Sequence, residues 1–189
     1  MDESFFKELE QRALNTAPFP DPRFPPSPYY RFLRLLAAEM RPRLSVELGV
    51  CGGGASFHLA TGWRDGKVVG VEREAGSKDQ QDNWRFIERH CPNFELWRGD
   101  SVDSALPIFR RHGAADVLFI DTVHTCERTR EEWDAWESFL AARCVVCLDD
   151  LFRPEMPPFW DELAWSKVRL DVLHDGAELG GGFGVAWRG

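Results

Sequence analysis

What the chain lacks narrows its function first. No long basic run occurs in its 189 residues, and the formal net charge is −8, which argues against a nucleic-acid backbone as primary partner. No apolar stretch reaches membrane-spanning length. The start, MDESFFKELEQR, is acidic and amphipathic and unlike a signal peptide, so a cytoplasmic location is expected. A disulfide framework is missing too. The five cysteines, Cys51, Cys91, Cys126, Cys144 and Cys147, are odd in number, which points to free thiols in a reducing compartment. Cys144 and Cys147 form a C-x-x-C inside the strand-like CVVCL, where an odd offset places them on opposite faces. They read as buried apolar thiols, not a metal or redox pair. No internal repeat and no second domain is visible.

What is present is a core-forming composition. Hydrophobic residues make up 43% and charged residues 29%, with eight Trp and fourteen Phe. The spacing predicts helices over 3–15 and 28–40, the second with Ser27 as N-cap and Pro28 at its first position. Between them lies a proline-rich connector. Apolar runs at 44–50, 67–72, 94–99, 116–121 and 144–149 alternate with helical segments at 54–62, 77–90, 102–112 and 127–142. That alternation predicts an α/β fold with βαβ units on a doubly wound, mostly parallel sheet. In 127–142, Trp133, Trp136 and Leu140 share a predicted core face, with Glu131, Glu132 and Asp134 on other faces. The ending has two strand candidates, 167–174 and 183–188, with no helix between, which predicts a terminal antiparallel hairpin and seven strands in all. The chain divides into N-terminal helices and connector, 1–42, and a main unit, 43–189.

The first strand of the main unit runs into ELGVCGGGAS. Gly49, Gly52, Gly53 and Gly54 permit a tight turn and close approach of a ligand to the backbone. The helix from about residue 54 offers its free N–H groups. Glu72 ends the second strand, where a carboxylate can accept from ribose hydroxyls. The loop is neither a Walker phosphate loop nor a clean G-x-G-x-x-G. Its spacing points to a nucleoside-containing ligand; the alternative is a turn that only packs a helix on a sheet.

From about residue 28 onward, the chain resembles the class I S-adenosylmethionine-dependent methyltransferases. The resemblance rests on VELGVCGGGAS, VVGVERE, LWRGDS and VLFIDTVHTCE…VVCLDDLF, in that order and spacing, with the closing hairpin. E-L-G-V-x-x-G-G with F-I-D-x-x-H is similar to small O-methyltransferases of the sugar, antibiotic-tailoring and catechol types. The resemblance implies a Rossmann-like methyltransferase fold and S-adenosylmethionine as cofactor. Glu47 and Gly49 would shape the turn under its methionine part, Gly53 would lie beside it, and Glu72 would bind the ribose diol. Asp100 and Ser101 would meet the adenine, although Ser101 or Asp103 also suits a helix cap. Asp121 would border the cofactor as well.

Asp121 ends the fourth strand, and Asp149 and Asp150 end the fifth. Carboxylates gathered at one sheet edge repel one another unless a cation lies among them, and hard oxygen ligands suit Mg²⁺ or Ca²⁺. The catechol-type relatives bind such a metal with equivalent residues. His124 stands where those relatives carry a lysine base and sugar-modifying ones a histidine. It is expected to serve as general base with Asp121 beside it; the alternative is a capping or orienting role. Val123 and Cys126 depart from the D-x-D-H-x-Y pattern of the sugar-modifying group. His58 reads as structural or at the cofactor's edge, His90 and His112 as helix-end residues, and His174 as exposed.

The acceptor side has only LFRPEMPPFWDELAWSKV after the fifth strand. Phe152, Met156, Phe159, Trp160 and Trp165 either line an acceptor pocket or form the core face of a helix at about 158–166. Phe19, Phe24, Tyr29 and Tyr30 either close over the site or meet a partner subunit, so a homodimer is one expected assembly. The leading expectation is metal-assisted methyl transfer to a hydroxyl of a small molecule. The alternatives are metal-free methyl transfer with Asp149 and Asp150 as loop caps, a dinucleotide oxidoreductase, and a non-catalytic cofactor-binding module.

Overall fold

A computed structural model describes residues 1–17, 21, 23–24, 27–170, 173 and 181–189. Two helices come first, α1 (Glu3–Asn15) and α2 (Pro28–Met40). There follow β1 (Leu44–Leu48), α3 (Gly54–Gly62), β2 (Lys67–Glu72), α4 (Lys78–His90), β3 (Phe94–Arg98), α5 (Ala105–His112), β4 (Ala115–Ile120), α6 (Cys126–Trp136) and β5 (Leu140–Leu148). The chain closes with α7 (Pro157–Glu162), β6 (Ser166–Arg169) and β7 (Gly184–Arg188). The seven strands form one sheet in the order β3-β2-β1-β4-β5-β7-β6. Strands β1 to β5 pair in parallel, while β7 is antiparallel to both β5 and β6.

Each strand feeds both faces because successive side chains alternate. Val117, Phe119, Val145 and Cys147 enter the core under α1 to α4, together with Phe6, Leu9, Phe32 and Leu33. Leu118, Ile120, Cys144, Val146 and Leu148 enter the opposite core, with Trp133, Trp136, Phe159 and Trp160. Cys144 and Cys147 therefore lie buried on opposite faces, as their spacing predicts.

The departures are local. The expected helix 127–142 stops at Trp136, followed by one 3-10 turn, and Leu140 begins β5. Glu132, expected on a face other than the core face of Trp133 and Trp136, is wholly buried. The expected helix 102–112 starts at Ala105 after a turn, so Ser101 is not its cap. Ser27 precedes α2 without bonding its side chain to a helix N–H; Pro28 at the first turn supplies the start. The helix after β5 is shorter than expected, Pro157–Glu162. The first hairpin strand is Ser166–Arg169; most of the remaining expected stretch, and His174, lie outside the described residues. So does Phe19.

The parallel ladder continues one step past the strands. Gly99 N–H donates to Glu72 O (3.2 Å), Gly49 N–H to Val71 O (3.0 Å), Asp121 N–H to Leu48 O (2.9 Å) and Asp149 N–H to Ile120 O (3.2 Å). Four loops are thus held in register at the carboxyl edge. This register depends on the sheet's packing. Phe119 is wholly buried, with ring neighbours Tyr29 and Phe183. Phe119→Ala is expected to cost about 3–5 kcal/mol in urea unfolding; a loss under about 1 kcal/mol would contradict this packing.

Candidate active site

Strand order reverses between β1 and β4, the place where ligands bind in open parallel sheets. A cleft of about 230 Å³ opens there, lined among others by Gly49, Cys51, Glu72, Asp100, Ser101 and Asp121. Gly49 takes φ +89°, and a Cβ on it would fall 2.0 Å from the Asp121 carbonyl oxygen. Only glycine lets the first loop lie against the fourth strand's end. Glu72 forms the far wall, its two carboxylate oxygens accepting from Cys51 N–H (3.0 Å) and Glu74 N–H (2.8 Å). Each oxygen keeps a lone pair for a ligand hydroxyl. Glu47 lies beneath the loop, accepting a short hydrogen bond from Ser56 of α3. Gly53 takes φ +84° as N-cap of α3.

Past Gly49 the edge becomes acidic. His124 Nε2 lies 3.5 Å from Asp121 Oδ1 and 3.5 Å from Asp150 Oδ2. Arg153 Nε donates to Asp150 Oδ2 at 2.8 Å. Burial, then Asp149, Glu47 and Asp150, push the Asp121 carboxyl well above the usual range. Burial lowers His124, against the pull of Asp150 and Asp149. Both groups are thereby biased to their neutral forms. Cys51, His124 and Asp150 all adopt positive φ (+44°, +54° and +56°), a conformation that costs about 1–3 kcal/mol each and clusters at functional sites.

Sequence reasoning places Asp121, His124, Asp149 and Asp150 together, and the structure does so. Their donor chemistry suits a hard cation. Yet no three His, Cys, Asp or Glu side chains among the described residues are arranged to hold a metal ion.

Asp100 and Ser101 line the cleft, but their side chains are engaged within the protein. Asp100 accepts from Arg128 Nη2 (2.8 and 2.9 Å) and from Val102 N–H (2.9 Å). Ser101 donates to Glu132 Oε1 at 2.5 Å. Arg128 and Glu132, both lining the cleft, escape sequence reading because charged helix residues pass for a solvated face. Their four-residue spacing ahead of Trp136 is the signal that finds them.

Tyr29 and Tyr30 pack close enough to this edge to feel its charge. Burial raises both hydroxyls, and Asp121 and Asp149 add to the shift. A Cβ on Gly54 would meet the Tyr30 ring at 2.4 Å. Phe24 instead stacks on Phe57 in the core (4.4 Å). After β5, Met156, Phe159 and Trp160 are buried as core, whereas Phe152 is 46% exposed. His58 stacks on Tyr30 and is lowered by burial to about 4, a structural role. His90 Nδ1 lies 2.8 Å from Phe86 O in its own helix, and His112 lies 3.5 Å from Glu95.

A family model described as a methyltransferase domain matches residues 46–151, from β1 through the acidic edge. The chain belongs to this methyltransferase family. Solved structures share the fold. An O-methyltransferase of Streptomyces achromogenes involved in tomaymycin synthesis, in complex with SAM, has a TM-score of 0.71 at 21% identity, covering 100% of this chain and 91% of its own. An O-methyltransferase from Bacillus cereus in complex with SAH gives 0.70 at 22% identity, covering 100% and 92%. A methyltransferase from Geobacter sulfurreducens gives 0.65 at 20%, covering 96% and 86%. At these identities the likeness is one of fold. No curated protein matches the chain. No helix among the described residues of the methyltransferase is long and apolar enough to cross a membrane.

The buried Glu47 makes the methyltransferase's stability depend on pH. Burial pushes its carboxyl up to about 8 from an ordinary 4.5, with Ser56 opposing and Glu72 adding. Between those values the folded protein holds a proton that the unfolded chain has released. Its contribution to stability therefore falls as pH rises through 4.5 to about 8. Glu47→Gln is expected to flatten that decline in urea unfolding measured across the window. An unchanged slope would contradict burial of the carboxyl.

Proposed function

We propose that this methyltransferase takes a methyl group from S-adenosylmethionine and delivers it to a hydroxyl of a small molecule, with Mg²⁺ or Ca²⁺ assisting at Asp121, Asp149 and Asp150. One observation carries the reading. The cleft between the Gly49 loop and Glu72 meets the acidic edge at Asp121, with His124 3.5 Å from that carboxylate. A donor held in the cleft would thus present its sulfonium end beside His124, a neutral imidazole able to accept a proton. The neighbours solved with SAM and SAH support the choice of donor.

Several side chains have definable roles. Glu72 accepts from the donor's ribose hydroxyls, and the Gly49 turn gives its methionine part room against the backbone. Asp121 orients His124 through Nε2, and the imidazole takes the proton of the acceptor hydroxyl at Nδ1. The acceptor oxygen forms its bond to the methyl carbon as the carbon–sulfur bond breaks, and the electron pair leaves with S-adenosylhomocysteine. Tyr29 and Tyr30 pack close to the edge and keep water away, so alignment of the two substrates carries much of the rate.

A divalent cation would need Asp121, Asp149 and Asp150 to converge from their present arrangement, and so held it would polarise the acceptor oxygen as a Lewis acid. The repulsion that Asp149, Glu47 and Asp150 exert on an ionised Asp121 is what a cation would relieve. Binding requires Asp150 to turn from Arg153, and that contact favours a second reading, metal-free transfer with Asp150 as a loop residue.

Transfer from labelled S-adenosylmethionine into a panel of hydroxylated small molecules tests both readings. Metal-assisted transfer is expected to stop with chelator and return with Mg²⁺; chelator-insensitive transfer favours the second reading. Asp121→Asn is expected to remove most transfer while S-adenosylhomocysteine affinity stays close to wild type. Loss of that affinity instead would make Asp121 a cofactor contact. His124→Ala is expected to slow transfer by roughly 100-fold, the scale of a general base; an unchanged rate would remove it from the proton path.

A further inference from the structure

Helix α6 carries an unexpected polar stripe. Arg128, Glu132 and Trp136 are spaced four residues apart and so lie on one side of the helix. All three reach the turn that follows β3. Trp136 Nε1 donates to Ser101 O at 2.9 Å. Arg128 Nη2 donates to both Asp100 oxygens and to Ser101 Oγ at 2.7 Å. Glu132 is 0% exposed, and its charge is met from three directions. Ser101 Oγ donates to Oε1 at 2.5 Å, Arg128 Nε to Oε1 at 3.3 Å, and Thr122 Oγ1 to Oε2 at 2.9 Å.

A buried carboxylate is costly unless its partners are fixed. Here the partners belong to two different loops. Ser101 follows β3, at the end of the cleft assigned to the nucleoside. Thr122 follows Asp121 at the end of β4. Glu132 therefore ties the two loops across the cleft, and Arg128 anchors the nearer one through Asp100. Asp100, Ser101, Thr122, Arg128 and Glu132 all line the cleft.

We propose that Arg128, Glu132 and Trp136 are positioning residues that fix the separation of the Asp100–Ser101 turn from Thr122, and so preshape the nucleoside end of the cofactor cleft. The stripe acts through other residues and does not touch the transferred methyl group. The inference rests on the cleft binding S-adenosylmethionine.

Calorimetric titration with S-adenosylhomocysteine and with adenosine tests it. Wild type binds both. Glu132→Ala is expected to weaken S-adenosylhomocysteine by roughly 30-fold and Thr122→Val by roughly 5-fold, on the scale of hydrogen bonds to a charged group. Adenosine loses the same factor in each variant, because the lesion lies at the nucleoside end. Glu132→Gln, which keeps one acceptor oxygen for Ser101 and turns an N–H toward Thr122 Oγ1, falls between wild type and Glu132→Ala. Thr122→Val removes one hydroxyl at nearly constant shape, so it reports even where Glu132→Ala fails to fold. Wild-type affinity in Thr122→Val and Glu132→Gln overturns the clamp. So does a loss confined to S-adenosylhomocysteine with adenosine unchanged. Failure of the wild type to bind S-adenosylhomocysteine overturns the cofactor reading itself, and the clamp with it.

Discussion

The site depends on a row of backbone hydrogen bonds that runs on after the strands have ended. Glu72 O, Val71 O, Leu48 O and Ile120 O each receive an N–H from the neighbouring loop. Loops are usually the mobile part of a domain. Here their first residues share the sheet's register, so Gly49, Asp121 and Asp149 stand at fixed separations before any side chain contributes. The Gly49 turn presses against the Asp121 carbonyl so closely that no larger residue fits. Fold and chemistry meet at that contact.

Charge is the second constraint. Glu47, Asp121, Asp149 and Asp150 gather near one edge, and Arg153 and His124 are the neighbouring basic groups at Asp150. Burial and mutual repulsion push Asp121 toward its neutral form. The sheet's packing outweighs that cost, and positive φ at His124 and Asp150 adds to it. A protein maintains such an arrangement where a proton or a cation is handled, which links the electrostatics of this edge to the methyl transfer proposed for it. At the other end, Glu132 faces the same burial cost but is met by three donors, so it stiffens the cleft instead of making it reactive.

The sheet was legible because its signals are local and periodic: apolar strands separated by helical segments, and a helix-free ending. The insertion of β7 between β5 and β6 is a tertiary choice that no local pattern encodes. The glycine turn, Glu72 and the acidic edge were legible because each sits immediately past a strand, where topology alone brings them together. Asp100 and Ser101 line the cleft, but their partners are hidden in the sequence, since Arg128 and Glu132 look like any solvated helix pair. Leu140 reads as helical because the spacing runs on from Trp136, while the chain instead turns and enters β5. The post-β5 aromatics divide as burial dictates, with Met156, Phe159 and Trp160 in the core and Phe152 exposed.

A crystal structure of the protein soaked with S-adenosylhomocysteine and Mn²⁺ tests the central claim most directly, since Mn²⁺ reports its position by anomalous scattering. The account predicts ribose hydroxyls on the Glu72 carboxylate, the homocysteine part over the Gly49 turn, and an anomalous peak among Asp121, Asp149 and Asp150. S-adenosylhomocysteine bound elsewhere, or a cleft that excludes it, would contradict the account.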